Sequence, residues 1–192
     1  MNEILRLTDG ILVNPDNPCP AERVTELASL PVSYWNFNWQ EKHGVIEVHA
    51  SVVDEVKQFF DLAAQLAFPI ERVARSSDPE FLWDDSLLMA ANVTSGFNYR
   101  LIVGTDYVSK HGLGLAFDVN PRLNPYIRYD QGLADRKIVE PEGATWDPSI
   151  PGTLHDGHPL VEYMKSAGWT WGGEWLPKSG RTDYQHFEKN CA

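Results

Sequence analysis

Ser109-Lys-His-Gly-Leu-Gly-Leu-Ala-Phe-Asp-Val-Asn-Pro121 is the stretch on which the reading of this chain turns. Leu115, Phe117 and Val119 alternate with Ala116, Asp118 and Asn120, the period-two pattern of a strand. On a strand Asp118 faces away from Phe117, so its carboxylate can point into a cleft while the phenyl ring fills a core. Gly112 and Gly114 allow a sharp turn between His111 and that strand. Imidazole and carboxylate are side chains that a catalytic metal takes readily. Taken alone, the stretch reads more readily as a structural turn with a surface histidine.

The flanking sequence predicts a mixed fold. Val45-Ile-Glu-Val-His-Ala50 reads as a strand. Val53, Val56, Phe59, Phe60, Ala63, Ala64 and Ala67 then mark one buried stripe of a helix over residues 52–67. Ser51 is the expected N-cap, and Pro69 lies beyond the helix end. Ile70–Ala74 is read as a strand, Asp84–Asn92 as a short helix, and Arg100–Val103 as a strand beside the central motif. Residues 127–157 read as one long loop, of the kind that borders sites. His158–Ala167 is a second short helix with Leu160, Val161 and Met164 on one face. Residues 1–44 carry the turn-rich Asn14-Pro-Asp-Asn-Pro-Cys-Pro20 and read as an irregular segment packing a short aromatic strand (Trp35, Phe37, Trp39) on the body.

At 192 residues the chain is expected to form one domain with a core of its own. A formal charge of −11 argues against a nucleic-acid partner, which needs a basic face to release counterions. No segment reads as a membrane span, so membrane insertion is not expected, and we expect a monomer. The opening Met-Asn-Glu-Ile-Leu-Arg-Leu lacks a basic segment followed by an apolar run, so no signal peptide is read there. The compartment is left open between an exported, a phage-released and a cytoplasmic protein. Cys19 and Cys191 have no CxxC spacing; they are candidates for one disulfide joining the ends.

The C-terminal Thr182-Asp-Tyr-Gln-His-Phe-Glu188 supplies a second imidazole, His186, with Asp183 three residues before it. Two histidines and one aspartate give a tetrahedral zinc three protein ligands and leave a fourth position for water. Asp183, expected on the loop entering the last strand, is placed to reach that water. Trp169, Trp171 and Trp175 either wall a groove or fill the core. His155 and His158, in the long loop, are read as solvated, with a supporting contact to the site as the alternative.

Ser-x-His-x-x-Gly-x-Ala-x-Asp followed by Asp-x-x-His-Phe-Glu resembles the VanY-like zinc D-alanyl-D-alanine carboxypeptidases. These share their fold with L-alanyl-D-glutamate endopeptidases of phage lysins and with the amino-terminal hedgehog domain. Thr94-Ser-Gly-Phe-Asn-Tyr-Arg100, Asn120-Pro-x-x-Asn-Pro-Tyr126 and Gly168-Trp-x-Trp-Gly-Gly173 extend the resemblance over residues 45–187. It implies an α+β fold, a small antiparallel sheet with flanking helices, and a peptidoglycan stem peptide as substrate. It also implies zinc held by His111, Asp118 and His186, with Asp183 as acid/base. Arg100 falls near the place of an arginine that binds substrate or steadies the oxyanion. Ser109 occupies the position that contacts ligand or orients the first histidine, and Trp171 is a candidate wall for the substrate.

The leading reading is a carboxypeptidase, with an endopeptidase of the phage-lysin type as the alternative. A zinc-fold binding module without catalysis is a third, and a carboxylate at Asp183 speaks against it. A non-haem iron site also uses two histidines and a carboxylate. Its first histidine and carboxylate stand two apart on one strand, unlike His111 and Asp118.

Overall fold

The computed structural model describes residues 5–6, 12–102, 104–129, 137–176 and 180–190. The strands are β1 (Leu5–Arg6), β2 (Leu27–Trp35), β3 (Glu41–His49), β4 (Arg72–Val73), β5 (Val93–Thr94), β6 (Ala116–Asp118), β7 (Tyr126–Tyr129), β8 (Lys137–Glu140), β9 (Trp169–Trp171), β10 (Arg181–Asp183) and β11 (His186–Lys189). The helices are α1 (Ala21–Thr25), α2 (Val53–Gln65), α3 (Asp85–Ala90) and α4 (Pro159–Ser166). Three antiparallel sheets have the orders β1-β2-β3, β10-β7-β8 and β6-β11-β9; β4 and β5 pair in parallel. The fold is α+β, as expected.

One hydrophobic cluster joins the first and third sheets through α2. Val53, Val56, Phe59, Phe60 and Ala63 form its buried stripe, in the spacing of a helix with one apolar face. Phe59 meets the edges of Phe117 on β6 and Phe187 on β11, with ring centroids 5.1 and 5.8 Å away. Leu160, Val161 and Met164 of α4 close the cluster from the other side. The core therefore fixes the third sheet from behind and leaves its other face to carry polar groups.

Four expectations are corrected. Residues 1–44 are not irregular throughout, because β2 runs for nine residues and pairs with β3 at every position from Leu27↔His49 to Trp35↔Glu41. Phe37 and Trp39 stand in the turn between those strands, where Asn36 Oδ1 accepts from Asn38 N and Gln40 N. Ser51 is not the cap of α2: a 3₁₀ turn (Ala50–Val52) precedes the helix, and the His49 ring accepts from Ser51 N. Residues 127–157 are not one loop, since β7 and β8 pair antiparallel within them. Of the strand expected over residues 100–103, the described residues 100–102 do not pair with the central strand. Leu101 bridges Val108 instead, while β6 is flanked by β11 and by a bridge from Asp118 to Ser95. The expectation for a Cys19–Cys191 disulfide lies outside the described residues. Among those residues, no helix is long and apolar enough to cross a membrane.

Candidate metal centre

β6 and β11 assemble the centre by register. His186 stands directly opposite Asp118, Phe187 opposite Phe117, and Glu188 opposite Ala116. Directly opposed residues share a face and alternate along the pair. The two phenylalanines stack at 5.3 Å on the core side, so Asp118, His186 and Glu188 stand together on the other. His111 arrives from a 3₁₀ turn (His111–Leu113) that Gly114 ends with φ = 66°. A side chain at Gly114 would also meet His49 N, 2.5 Å from an ideal Cβ. Ser109 Oγ accepts from His111 N at 3.3 Å, and Asn98 N donates to the His111 carbonyl at 3.2 Å. Ser95 and Asp118 exchange backbone bonds at 2.9 and 3.2 Å.

Three donors converge. His111 Nε2 lies 3.1 Å from His186 Nδ1, His186 Nδ1 lies 3.0 Å from Asp118 Oδ1, and Asp118 Oδ2 lies 3.4 Å from His111 Nε2. A tetrahedron with metal–ligand bonds of about 2.0–2.1 Å has edges of roughly 3.3 Å, so these spacings suit one small cation. The far side of each ring agrees. His111 Nδ1 is 2.8 Å from the Gly96 carbonyl, which can only accept, so that nitrogen carries a proton. His186 Nε2 is 3.2 Å from Glu188 Oε2, and Glu188 is held below the usual carboxylate range chiefly by that bond. Both inner nitrogens of the neutral rings are then lone pairs aimed at a carboxylate. That is the pattern of metal-binding histidines steadied by outer acceptors.

Burial raises the stakes, with His111, Asp118 and His186 only 4%, 7% and 6% exposed. Burial opposes a charge on Asp118, yet His111 and His186 hold its carboxyl well below the ordinary range. Burial likewise opposes an imidazolium at His186, but its bonds to Asp118 and Glu188 override this and hold it at about 10. A carboxylate between two imidazoles requires a cation there, and a proton or a metal ion can serve. His111, Asp118 and His186 are thus a group able to hold a metal ion.

Asp183 ends β10 rather than lying in a loop, and it stands opposite Tyr126 of β7. Its Oδ1 is buried and accepts no hydrogen bond among the described residues. Burial is the main cause that pushes its carboxyl up to about 7; His186 pulls it down and Asp118 pushes it further up. Gly172 lets β10 come this close, since an ideal Cβ there would sit 2.5 Å from Asp183 O and 2.9 Å from Asp183 Cβ.

With two imidazoles, one carboxylate and a neighbouring buried acid in place, comparison with known families is informative. Residues 103–189 match the family described as D-alanyl-D-alanine carboxypeptidase, a span that contains all four groups. Over those residues the chain is similar to that family. No match was found among curated proteins or among solved structures.

The predicted site residues divide. His111, Asp118 and His186 come together, Asp183 stands beside them, and Ser109 steadies the turn that carries His111. Arg100 is bound elsewhere: its Nη2 donates to Asp85 of α3 at 2.6 Å. Trp171 is a correction. It pairs opposite Phe187, on the core face of the sheet, is 2% exposed, and donates Nε1–H to Tyr184 O at 2.8 Å. It cannot wall a groove from there, and neither can Trp169, two residues back on the same face. Trp175 does reach the centre, its ring 5.3 Å from that of His186. His158 caps α4 by accepting from Leu160 N, which settles its role as structural. Asn120 and Asn124 are also structural: both Nδ2 groups donate to the Gly152 carbonyl and pin the following loop to the end of β6.

Two partners of the centre escaped the sequence reading. Glu188 was legible in principle, because it follows His186 by two on a strand and must share its face. The Gly96 carbonyl was not, since a backbone acceptor has no residue signature.

Proposed function

We propose that this chain is a zinc metallopeptidase that removes the terminal D-alanine from peptidoglycan stem peptides. The reading is carried by the convergence of His111 Nε2, His186 Nδ1 and the Asp118 carboxylate at the edge lengths of a tetrahedral site, beside a buried acid. Zinc bound there would supply Lewis-acid activation of a water and polarisation of the scissile carbonyl. His111 and His186 would hold it through nitrogens whose orientation Gly96 and Glu188 fix, and Asp118 would supply the negative ligand.

Asp183 is the proton carrier of the reaction. Its carboxyl titrates at about 7, so near neutrality it can accept a proton from the attacking water. The same oxygen then returns that proton to the amine nitrogen as the peptide C–N bond breaks. A group needed in both protonation states is best poised near the working pH. The pairing of His111 and His186 with Asp118, rather than with Asp183, supports this division between holding and proton transfer. A catalytically silent binding module has no use for a buried carboxyl pushed up to about 7 at this position.

The test is mass spectrometry of products from a pentapeptide stem and from muropeptides, with and without a chelator. Chelator-sensitive loss of one terminal D-alanine is expected. Release of a fragment beginning with D-glutamate would make the chain an endopeptidase instead. No cleavage by a zinc-loaded sample would overturn the peptidase reading.

A further inference from the structure

The turn after α2 and the loop before α4 enclose a cavity of about 260 Å³ that the peptidase chemistry does not use. Phe68, Pro69, Ile150 and Pro151 give it apolar walls, and His155 and His158 also line it. No Asp, Glu, Lys or Arg does. On a chain of net charge −11 that neutrality selects: the cavity suits an uncharged ligand and gives an ionised one no partner.

Backbone bonds set the two imidazoles to opposite roles. His155 Nδ1 lies 2.8 Å from Asp156 O, which only accepts, so this nitrogen carries the proton and Nε2 of the neutral ring is an acceptor. His158 Nδ1 accepts from Leu160 N at 3.2 Å, so its proton sits on Nε2, a donor. Burial, then the charge of His155, holds His158 down at about 4, and its ring is neutral near pH 7. The rings meet edge to face at 5.2 Å, and neither Nε2 has a hydrogen-bond partner among the described residues. Thr153, on the same wall, keeps a buried Oγ1 that is likewise without a hydrogen bond among those residues. Buried polar atoms left in this way call for a partner from outside the chain.

The walls are tied together. Asn120 Nδ2 donates to Pro69 O at 2.8 Å and to Gly152 O at 3.1 Å, so one side chain joins the two segments. Asn124 Oδ1 accepts from Leu154 N at 2.6 Å and holds the loop a second time. A site formed in advance spends little of its binding energy on ordering. Asn120 is two residues beyond Asp118, a span of at most about 7 Å. One asparagine side chain therefore connects the cavity to the strand that carries the metal-binding carboxylate. In a stem pentapeptide four residues lie between the sugar and the terminal D-alanine bond, roughly 14 Å when extended.

We propose that this cavity holds an N-acetylated sugar of the glycan strand, its acetamido group set between His155 and His158. An acetamido group is uncharged, donates through N–H, accepts through C=O and carries a methyl for the apolar walls. A cavity smaller than the ~300–1,000 Å³ of ordinary ligand pockets takes one ring rather than a length of peptide. The assignment deepens the peptidase reading above and rests on it for the identity of the polymer.

Ligand-observed NMR on the full chain tests it with three neutral probes: the trimer of N-acetylglucosamine, the trimer of glucose, and N-acetylalanine methylamide. The acetylated sugar is expected to bind wild type at least about tenfold tighter than either other probe. His155→Phe keeps a ring, removes the acceptor, and is expected to lose about tenfold for that sugar alone. Ile150→Glu, at a position 39% exposed, brings a charge to the rim and is expected to abolish binding. Equal binding of the glucose trimer, or full binding retained by both variants, overturns the proposal. Binding of the methylamide as tight as that of the sugar makes the occupant a peptide and overturns it too. Hydrolysis by zinc-loaded enzyme separates this site from the peptidase reading. KM is expected to be about tenfold lower for a muropeptide than for the free pentapeptide, with kcat equal. His155→Phe is expected to erase that difference and leave the free pentapeptide unaffected. Sugar binding without cleavage of either substrate would sink the peptidase reading and keep the sugar site. Cleavage of both with no sugar binding would do the reverse.

Discussion

His186 is engaged on both sides of its ring, with Asp118 at Nδ1 and Glu188 at Nε2. Without metal these two carboxylates hold the imidazolium up to about 10, so at neutral pH a proton occupies the place of a metal ion. Binding must expel that proton. Metal affinity is therefore expected to rise about tenfold per pH unit between pH 6 and 8, as one released proton requires. Competition against a chromophoric chelator measures this directly, and an affinity flat over that range would contradict it. The neighbouring carboxyl behaves differently. Asp183 feels the converging donors through charge. Asp183→Ala is expected to keep a full complement of zinc and lose turnover by about 10²–10⁴-fold, the usual contribution of a positioned acid/base. His186→Ala is expected to lose both. Metal analysis beside activity reads the two apart, and equal metal loss in both variants would abolish the division of labour.

Between residue and residue stands the element, and here the approach of β10 to the turn after β9 is decisive. Gly172 touches the backbone and Cβ of Asp183, so neither neighbour can yield by rotating a side chain. Gly172→Ala is expected to push β10 away and lower kcat by tenfold or more, with zinc content unchanged because His186 and Asp118 are held by a different strand pair. Loss of metal in that variant would show that β10 and the β6–β11 pair move as one. The same elements show what a sequence discloses. β6 was readable because Leu115-Ala-Phe-Asp-Val119 alternates cleanly, and the ligands were readable because His111, Asp118 and His186 stand in the spacing of a known family motif. Trp171 was misplaced because its face depends on register: only its pairing with Phe187 shows that it points to the core. β2 was missed because Pro31 and two serines interrupt its apolar pattern, and a proline within a run argues against a strand. Its nine-residue partnership with β3 is a long-range fact that local alternation does not contain. Arg100 was assigned by spacing alone, and its ion pair with Asp85 is a contact between segments that spacing cannot show.

At the scale of the whole molecule, β3 is buried on both faces toward its C-terminal end. Ile46 and Val48 enter the main core, and Glu47, only 2% exposed, points the other way. Its Oε1 accepts no hydrogen bond among the described residues, while its carbonyl takes Phe97 N at 2.8 Å and so fastens β3 to the segment that supports His111. Burial pushes the Glu47 carboxyl from 4.5 to about 7; Arg75 offsets part of this and Asp78 adds to it. Below about pH 4.5 folded and unfolded chains both carry the proton, and the group costs nothing. Between 4.5 and 7 the unfolded chain releases its proton first, so stability falls as pH rises, and it levels off above 7. Glu47→Gln keeps the shape and removes the titration. The variant is expected to exceed wild type in stability at pH 8 by about 3 kcal/mol, the worth of the shift, and to approach it near pH 4.5. Denaturant unfolding of both proteins at pH 5 and pH 8, at equal zinc occupancy, reads the difference. A gap that did not widen with pH would mean that Glu47 is charged in the folded protein, and that the junction between β3 and the His111 support is held by an ion pair rather than by a neutral acid.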